Sequence, residues 1–212
     1  MSLLTIIGIL PLISAGLIAL IPTKNNELIK RSTFLATVFV AIASIFMAFR
    51  FDKNSDQLQF TQNNSWISAF NINFSLGIDG ISLVLILLST ILVPIVVLAT
   101  WHESDNGRWS SKVFYILLLV LESLMIGVFA ANDLFLFYVF FEAMLIPVYF
   151  LIGGYGTGDK SAAAIKFLLY SLFGGLLMLA SIIGVYIISS NQIGATFDLT
   201  QLATLEIDNQ TE

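Results

Sequence analysis

The sequence predicts an all-α integral membrane protein, a bundle of about six transmembrane helices. Two features of composition and one of charge placement carry this. Apolar residues make up 58% of the chain and charged residues 11%, where soluble domains carry about 25% charged residues. The apolar residues fall in long blocks rather than on periodic faces, and a block of ~18 or more is long enough to cross ~30 Å of hydrocarbon as a helix. The cations are confined to the connections between blocks and their margins.

Six spans are predicted, at Leu3–Ile21, Ser32–Phe49, Ile81–Thr100, Val113–Ala131, Leu134–Ile152 and Ala162–Ser189. No small-residue cleavage site follows the first, so it is expected to be retained as a helix. The last is long enough to tilt or to pass the interface. Between the first and second spans, Pro22 to Arg31 is a short polar connection with three cations. Arg50 to Gly80 is a long polar segment. Within it Leu58 and Phe60 alternate with Gln57, Gln59 and Thr61, and Phe70, Ile72, Phe74 and Leu76 alternate with Asn71, Asn73 and Ser75. Period-two alternation reads as strand, so a small extramembrane hairpin is expected between helices 2 and 3. Trp101 to Lys112 is polar, Asn132-Asp133 makes a tight turn, and Gly153 to Ser161 is glycine-rich. The expected organisation is a bundle over residues 1–189, with extramembrane segment 50–80, and a polar, acidic tail over 190–212.

Orientation follows from the cations. The connections after spans one, three and five hold Lys24, Lys30, Arg31, Arg108, Lys112 and Lys160, with Lys166 close by; the segment after span two holds only Arg50 and Lys53. The positive-inside rule therefore puts the N-terminus, the hairpin and the tail outside, which for a bacterial inner membrane means the periplasm.

Composition also excludes. A net charge of −5 argues against nucleic acid as a partner. The absence of cysteine excludes thiolate zinc and iron–sulfur ligation within the chain. His102 is the sole histidine and lies in a connection, so neither a metal site nor a bound cofactor is expected here. Gly153 to Ser161 nearly matches a phosphate-binding loop, but Asp159 separates the second glycine from the lysine, and a membrane helix rather than a strand precedes it. Asn63-Asn64-Ser65 is a formal glycosylation acceptor of a kind expected by chance.

Two carboxylates interrupt the apolar blocks, Glu122 in span four and Glu142 in span five. Each lies 10 residues from Asn132, or roughly 15 Å along a helix, which is half of a ~30 Å core. Both are expected near the midplane on adjacent antiparallel helices. An acid at the bilayer centre costs about 2.5–3.5 kcal/mol on insertion scales, and its charge state answers to its neighbours. That suits a proton relay; the alternative is a carboxyl held protonated between helices. Pro147 lies five residues beyond Glu142 and deprives the carbonyl of Ala143 of its helical donor, which marks Glu142 as the stronger candidate. Lys166 either snorkels to the interface or faces the interior as a third relay candidate. Asp79 and Asp133 read as helix caps.

From the third span onward the sequence resembles a known family. Phe74-Ser-Leu-Gly-Ile-Asp-Gly-Ile-Ser-Leu83 is similar to the start of the third helix in the antiporter-like subunits of respiratory complex I, the proton-pumping NADH:quinone oxidoreductase. Asp133 to Gly153, with the run Glu142-Ala-Met-Leu-Ile-Pro147, resembles the fifth helix of the chain M or subunit 4 family in particular. Ala162-Ala-Ala-Ile-Lys166 to Gly174 continues the likeness, and Glu122-Ser-Leu-Met-Ile-Gly-Val-Phe129 also resembles bacterial members. The likeness runs from about Phe74 to Tyr186.

The resemblance implies the N-terminal part of an antiporter-like helical bundle in the membrane arm of the complex. It implies that Glu142 is the fifth-helix glutamate, which pairs with a lysine on a broken seventh helix, and that Lys166 is the sixth-helix lysine. It implies partners among the other membrane-arm subunits and the lipid bilayer, with NADH, FMN, iron–sulfur clusters and quinone held by other subunits. Family members continue into further helices, so a chain ending at Glu212 is expected to be a fragment that does not pump protons alone. Two rival readings remain: a subunit of a multisubunit sodium/proton antiporter, and a structural scaffold in which both glutamates tolerate neutral replacement.

Overall fold

The computed structural model describes residues 2–55, 57–102 and 107–205. Six of its helices are long and apolar enough to cross a membrane. They are α1 (Leu3–Leu20), α2 (Asn26–Phe49), α3 (Gly80–Ala99), α4 (Ser111–Ala130), α5 (Leu134–Tyr155) and α6 (Lys160–Gln192). The chain is an all-α multi-pass membrane protein, with one two-stranded sheet between α2 and α3.

α1, α3, α5 and α6 each start where a side chain satisfies orphaned N–H groups. Ser2 Oγ accepts from Thr5 N at 3.3 Å in α1, and Asp79 Oδ1 accepts from Ser82 N at 2.7 Å in α3. The Ser82 N–H holds the Asp79 carboxyl below its ordinary range. α2 begins six residues before the apolar block does, because Glu27, Lys30 and Arg31 are good helix formers and Glu27 faces Arg31 at 3.8 Å one turn on. α6 likewise overruns its apolar block at both ends. Hydropathy marks where hydrocarbon begins, not where the helix does.

The hairpin is β1 (Gln59–Ile67) and β2 (Ile72–Ile78), antiparallel, with Asn63 opposite Ser75 and Asn64 opposite Phe74. A 3₁₀ turn over Ser68–Phe70 joins them, and Asn71 takes a left-handed conformation at φ 54°, which asparagine tolerates better than most residues. The pattern of β2 explains its seat. Ile72, Leu76 and Ile78 are buried, whereas β1 presents Thr61, Asn63 and Asn64 to the outside.

α4 is the hub of the bundle, touching α1, α2, α3 and α5, while α6 packs chiefly on α5. One core gathers Leu4, Ile7, Val40, Ile86 and Ile126 beneath the hairpin. A second gathers Ile18, Ile29, Val97, Tyr115 and Leu119 towards the opposite end.

The α4–α5 turn is a junction rather than a bare loop. Asp133 Oδ1 accepts from Phe135 N and Leu136 N at 3.0 Å each, capping α5, while Oδ2 accepts from Asn73 N of β2 at 3.0 Å. The backbone of the turn adds Asn132 N to Ser75 O at 2.9 Å, Leu134 N to Phe197 O at 2.8 Å and Leu199 N to Asn132 O at 3.0 Å. Part of the expected polar tail is therefore seated: Phe197 is buried and stacks on Tyr186 of α6 with ring centroids 4.4 Å apart. A short helical turn follows at Leu199–Leu202. The expected tail beyond residue 205 lies outside the described residues.

Burial raises the Asp133 carboxyl above its ordinary range against the pull of three backbone N–H donors, and Asp198 nearby adds to the rise. An acid raised in the folded state binds protons more tightly there than when unfolded. The resulting stabilisation is fully present below the ordinary carboxyl range and is lost as pH rises through the folded value. The wild-type chain is therefore expected to lose thermal stability relative to Asp133→Asn as pH climbs through that window. Parallel melts in detergent across the acid range check this, and a pH-independent difference would refute it.

Candidate functional site

The two membrane carboxylates sit at the same depth. Glu122 is eight residues before the end of α4 and Glu142 eight residues after the start of α5, so each lies roughly 12 Å from the shared turn. The antiparallel neighbour arrangement expected from the sequence holds. They do not face each other, however.

Glu122 is fully buried. It lines a cavity of about 200 Å³ on the α3 side, with Ser89, Leu92 and Val93 of α3 and Leu118 and Met125 of α4. Neither of its carboxyl oxygens has a hydrogen-bond partner among the described residues. The hydroxyls nearby are occupied elsewhere: Ser89 Oγ donates to Ile86 O at 2.9 Å, and Thr90 Oγ1 pairs with Ser44 Oγ of α2 at 2.6 Å.

Glu142 turns to the other side, onto α6. Its Oε1 is enclosed and without a hydrogen-bond partner among the described residues. The surface it meets is Gly175, where any Cβ would overlap the carboxyl group. Gly175 is buried, one of the few positions of α6 that are. The glutamate is thus seated in a notch that a missing side chain creates. Sequence reasoning named Glu142 but not Gly175; the available signal was a Gly-Gly pair, Gly174-Gly175, inside an apolar span.

Pro147 is buried within α5, which continues unbroken from Leu134 to Tyr155. Proline lacks an N–H, so the carbonyl of Ala143, next to Glu142, loses its usual donor. Lys166 is exposed on α6, nine residues before Gly175 and so roughly 13 Å along the helix. Lys166 and Glu142 are not brought together. His102 lies in the connection after α3, and no group of three metal-ligating side chains occurs among the described residues. The glycine-rich stretch from Gly153 is the last turn of α5 followed by the turn into α6, not a strand-to-helix loop.

Comparison with known proteins adds the lineage. Residues 6–130 match the family model described as NADH-ubiquinone oxidoreductase chain 4, amino terminus. Residues 131–211 match the one described as NADH:quinone oxidoreductase/Mrp antiporter, transmembrane. Among similar proteins, NADH-quinone oxidoreductase subunit M of Mycobacterium tuberculosis is 38% identical over 226 aligned positions, covering 94% of this chain and 41% of that protein. NADH-ubiquinone oxidoreductase chain 4 of Arabidopsis thaliana is 38% identical over 201, covering 94% and 39%. The chain spans about two fifths of the length of these relatives. A chain of respiratory complex I from Thermus thermophilus shares the fold at a TM-score of 0.80 and 24% identity, covering 98% of this chain and 40% of that one. A chain of the Mrp complex from Dietzia does so at 0.73 and 17%, covering 96% and 20%. With the amino-terminal model alone spanning more than half of the residues, the chain belongs to the NADH-ubiquinone oxidoreductase chain 4 family, whose bacterial members are named NADH-quinone oxidoreductase subunit M.

Proposed function

We propose that this chain takes part in proton translocation by the membrane arm of an NADH:quinone oxidoreductase, with Glu142 as its principal proton carrier. The seating of Glu142 against Gly175 carries the reading. Evicting a side chain to admit an acid into the α5–α6 contact makes little sense for packing alone, since an apolar residue fills such a contact at no desolvation cost. An acid there holds a proton when isolated and releases it when a cation approaches. Lys166 lies away from the notch, so it is not the approaching cation; the family resemblance assigns that part to a lysine on a broken seventh helix. Redox-linked movement of that cation would then drive protons on and off Glu142. Lys166, on the exposed face of α6, is placed to serve a second station facing whatever packs there. NADH oxidation and quinone reduction fall to other subunits, which hold FMN and the iron–sulfur clusters, and this chain holds no cofactor.

The ends of the bundle support an N-terminus-outside orientation in a bacterial inner membrane. One end carries Ser2, the hairpin, the Asp133 junction and the end of α6. The other carries Lys24, Arg108, Lys112 and Lys160 at or beside the helix ends, as positive-inside topology requires.

A second reading, a subunit of a multisubunit sodium/proton antiporter, is favoured by the description of the model over residues 131–211, which names both systems. Replacing Glu122 and Glu142 separately in the complete complex tests the proposal, with NADH-driven proton uptake into membrane vesicles as readout. Glu122→Gln is expected to keep most of the pumping, because its carboxyl faces the α3 cavity and not the α5–α6 contact. Equal loss in both variants would overturn the assignment of Glu142 as principal carrier. Sodium-driven exchange surviving without any redox partner would favour the antiporter.

A further inference from the structure

We propose that the groove shared by Trp109 and Phe150 binds one anionic phospholipid, at the end of the bundle where α5 stops and α6 begins. Two cavities meet there. One, of about 150 Å³, is lined by Arg108, Tyr149 and Ser161 among others. The other, of about 320 Å³, is lined by Val113, Leu117, Trp109 and Phe150. Trp109 and Phe150 belong to both, so the two form one continuous groove that is cationic and hydroxylated at one end and apolar at the other.

The order of polarity matches a lipid. Arg108 lies just before the start of α4 and Ser161 in the first turn of α6, at the level of the headgroups. Leu117 lies six residues into α4, roughly 9 Å deeper, within hydrocarbon. Arg108 is exposed. A second cation is held close: Gly154 O accepts from both Arg108 N at 2.8 Å and Lys160 Nζ at 3.0 Å. Basic pockets between transmembrane helices suit anionic headgroups. The nearby acid Asp159 is engaged, its Oδ1 accepting from Ala162 N at 3.3 Å as the cap of α6.

The groove is also held open. A Cβ at Gly154 would come within 2.5 Å of the Trp109 ring, so glycine there lets the indole lie against α5. Trp109 is braced by Phe150 and Tyr155 at centroid distances of 5.9 and 6.3 Å. Tryptophan at the membrane–water boundary is itself an interfacial anchor. The phosphate is placed at Arg108 and Ser161, and one acyl chain along Val113, Leu117 and Phe150.

Native mass spectrometry of the chain released from nanodiscs of equimolar phosphatidylglycerol and phosphatidylcholine tests this. The wild-type chain is expected to retain phosphatidylglycerol in preference. Arg108→Gln should lower that preference about five-fold, the worth of one cation at the surface, while Arg108→Lys keeps most of it. Leu117→Trp, which fills the apolar end, should lower retention of both lipids; Val113→Phe serves if circular dichroism shows that variant misfolded. Equal retention of the two lipids by the wild type, an unchanged ratio in Arg108→Gln, or displacement of the lipid by inorganic phosphate alone would overturn the proposal.

Discussion

Glu142→Gln in the complete complex is expected to leave assembly intact and to cut NADH-driven proton pumping by about a hundredfold, the order of a lost proton-transfer group. Glutamine has nearly the shape of glutamic acid and fits the notch at Gly175. It also removes a group whose ionised form costs several kcal/mol to bury, so the fold has no reason to suffer. What it removes is titration. The measurement is proton uptake into inside-out vesicles beside quantification of assembled complex. Assembled complex with undiminished pumping would sink the proposal, and loss of assembly would show the residue to be structural.

Gly175→Leu is expected to have the second largest effect, by a different route. The new side chain occupies the volume of the Glu142 carboxyl. Either α5 and α6 part or Glu142 turns out of its seat. Overpacking of this kind costs about 1–3 kcal/mol, which thermal melting of the purified chain detects. Coupled pumping in the full complex should fall with it. Gly174→Leu is the control, because a Cβ at Gly174 meets nothing within 4 Å. The chain carrying that change is expected to melt within a degree or two of wild type. Equal destabilisation by both changes would show helix-backbone flexibility, and not the notch, to be the requirement.

The architecture was largely legible because the bilayer leaves so few options. Backbone groups in hydrocarbon must bond within a helix or a closed barrel, so six apolar blocks read directly as six helices. The hairpin was legible for a related reason: Ile72, Phe74 and Leu76 alternate with polar residues, and Ile72 and Leu76 indeed face inward. Helix ends were less so. Lys30 breaks the apolar pattern yet is buried within α2, its ammonium 6.0 Å from the ring centre of Trp101, a tertiary contact that no local window contains. The same holds for Phe197, whose burial depends on α6 bringing Tyr186 beside it.

The candidate site was legible by exception. A charged residue in an apolar block stands out, so Glu122 and Glu142 were found at once, with equal depth following from their equal spacing from Asn132. Their facing was not. On antiparallel neighbours, a rotation of either helix about its axis redirects a side chain without altering its depth. Only packing shows that Glu122 meets α3 and Glu142 meets α6. Gly175 escaped notice because glycine in a membrane helix is common, and its meaning here comes entirely from the carboxyl opposite.

The Asp133 junction has a mechanical consequence. It fastens the first turn of α5 to β2 and to the backbone around Phe197 at once, so that end of the helix is clamped. The far end is tied as well: Gly154 O accepts from Arg108 N at 2.8 Å and from Lys160 Nζ at 3.0 Å, and the Tyr155 hydroxyl donates to Ser110 O at 2.7 Å. A rod pinned at both tips neither slides nor swings, and Glu142 lies between the pins. On the proposed reading, proton exchange at this position therefore falls to an opposing surface that moves past a nearly stationary acid.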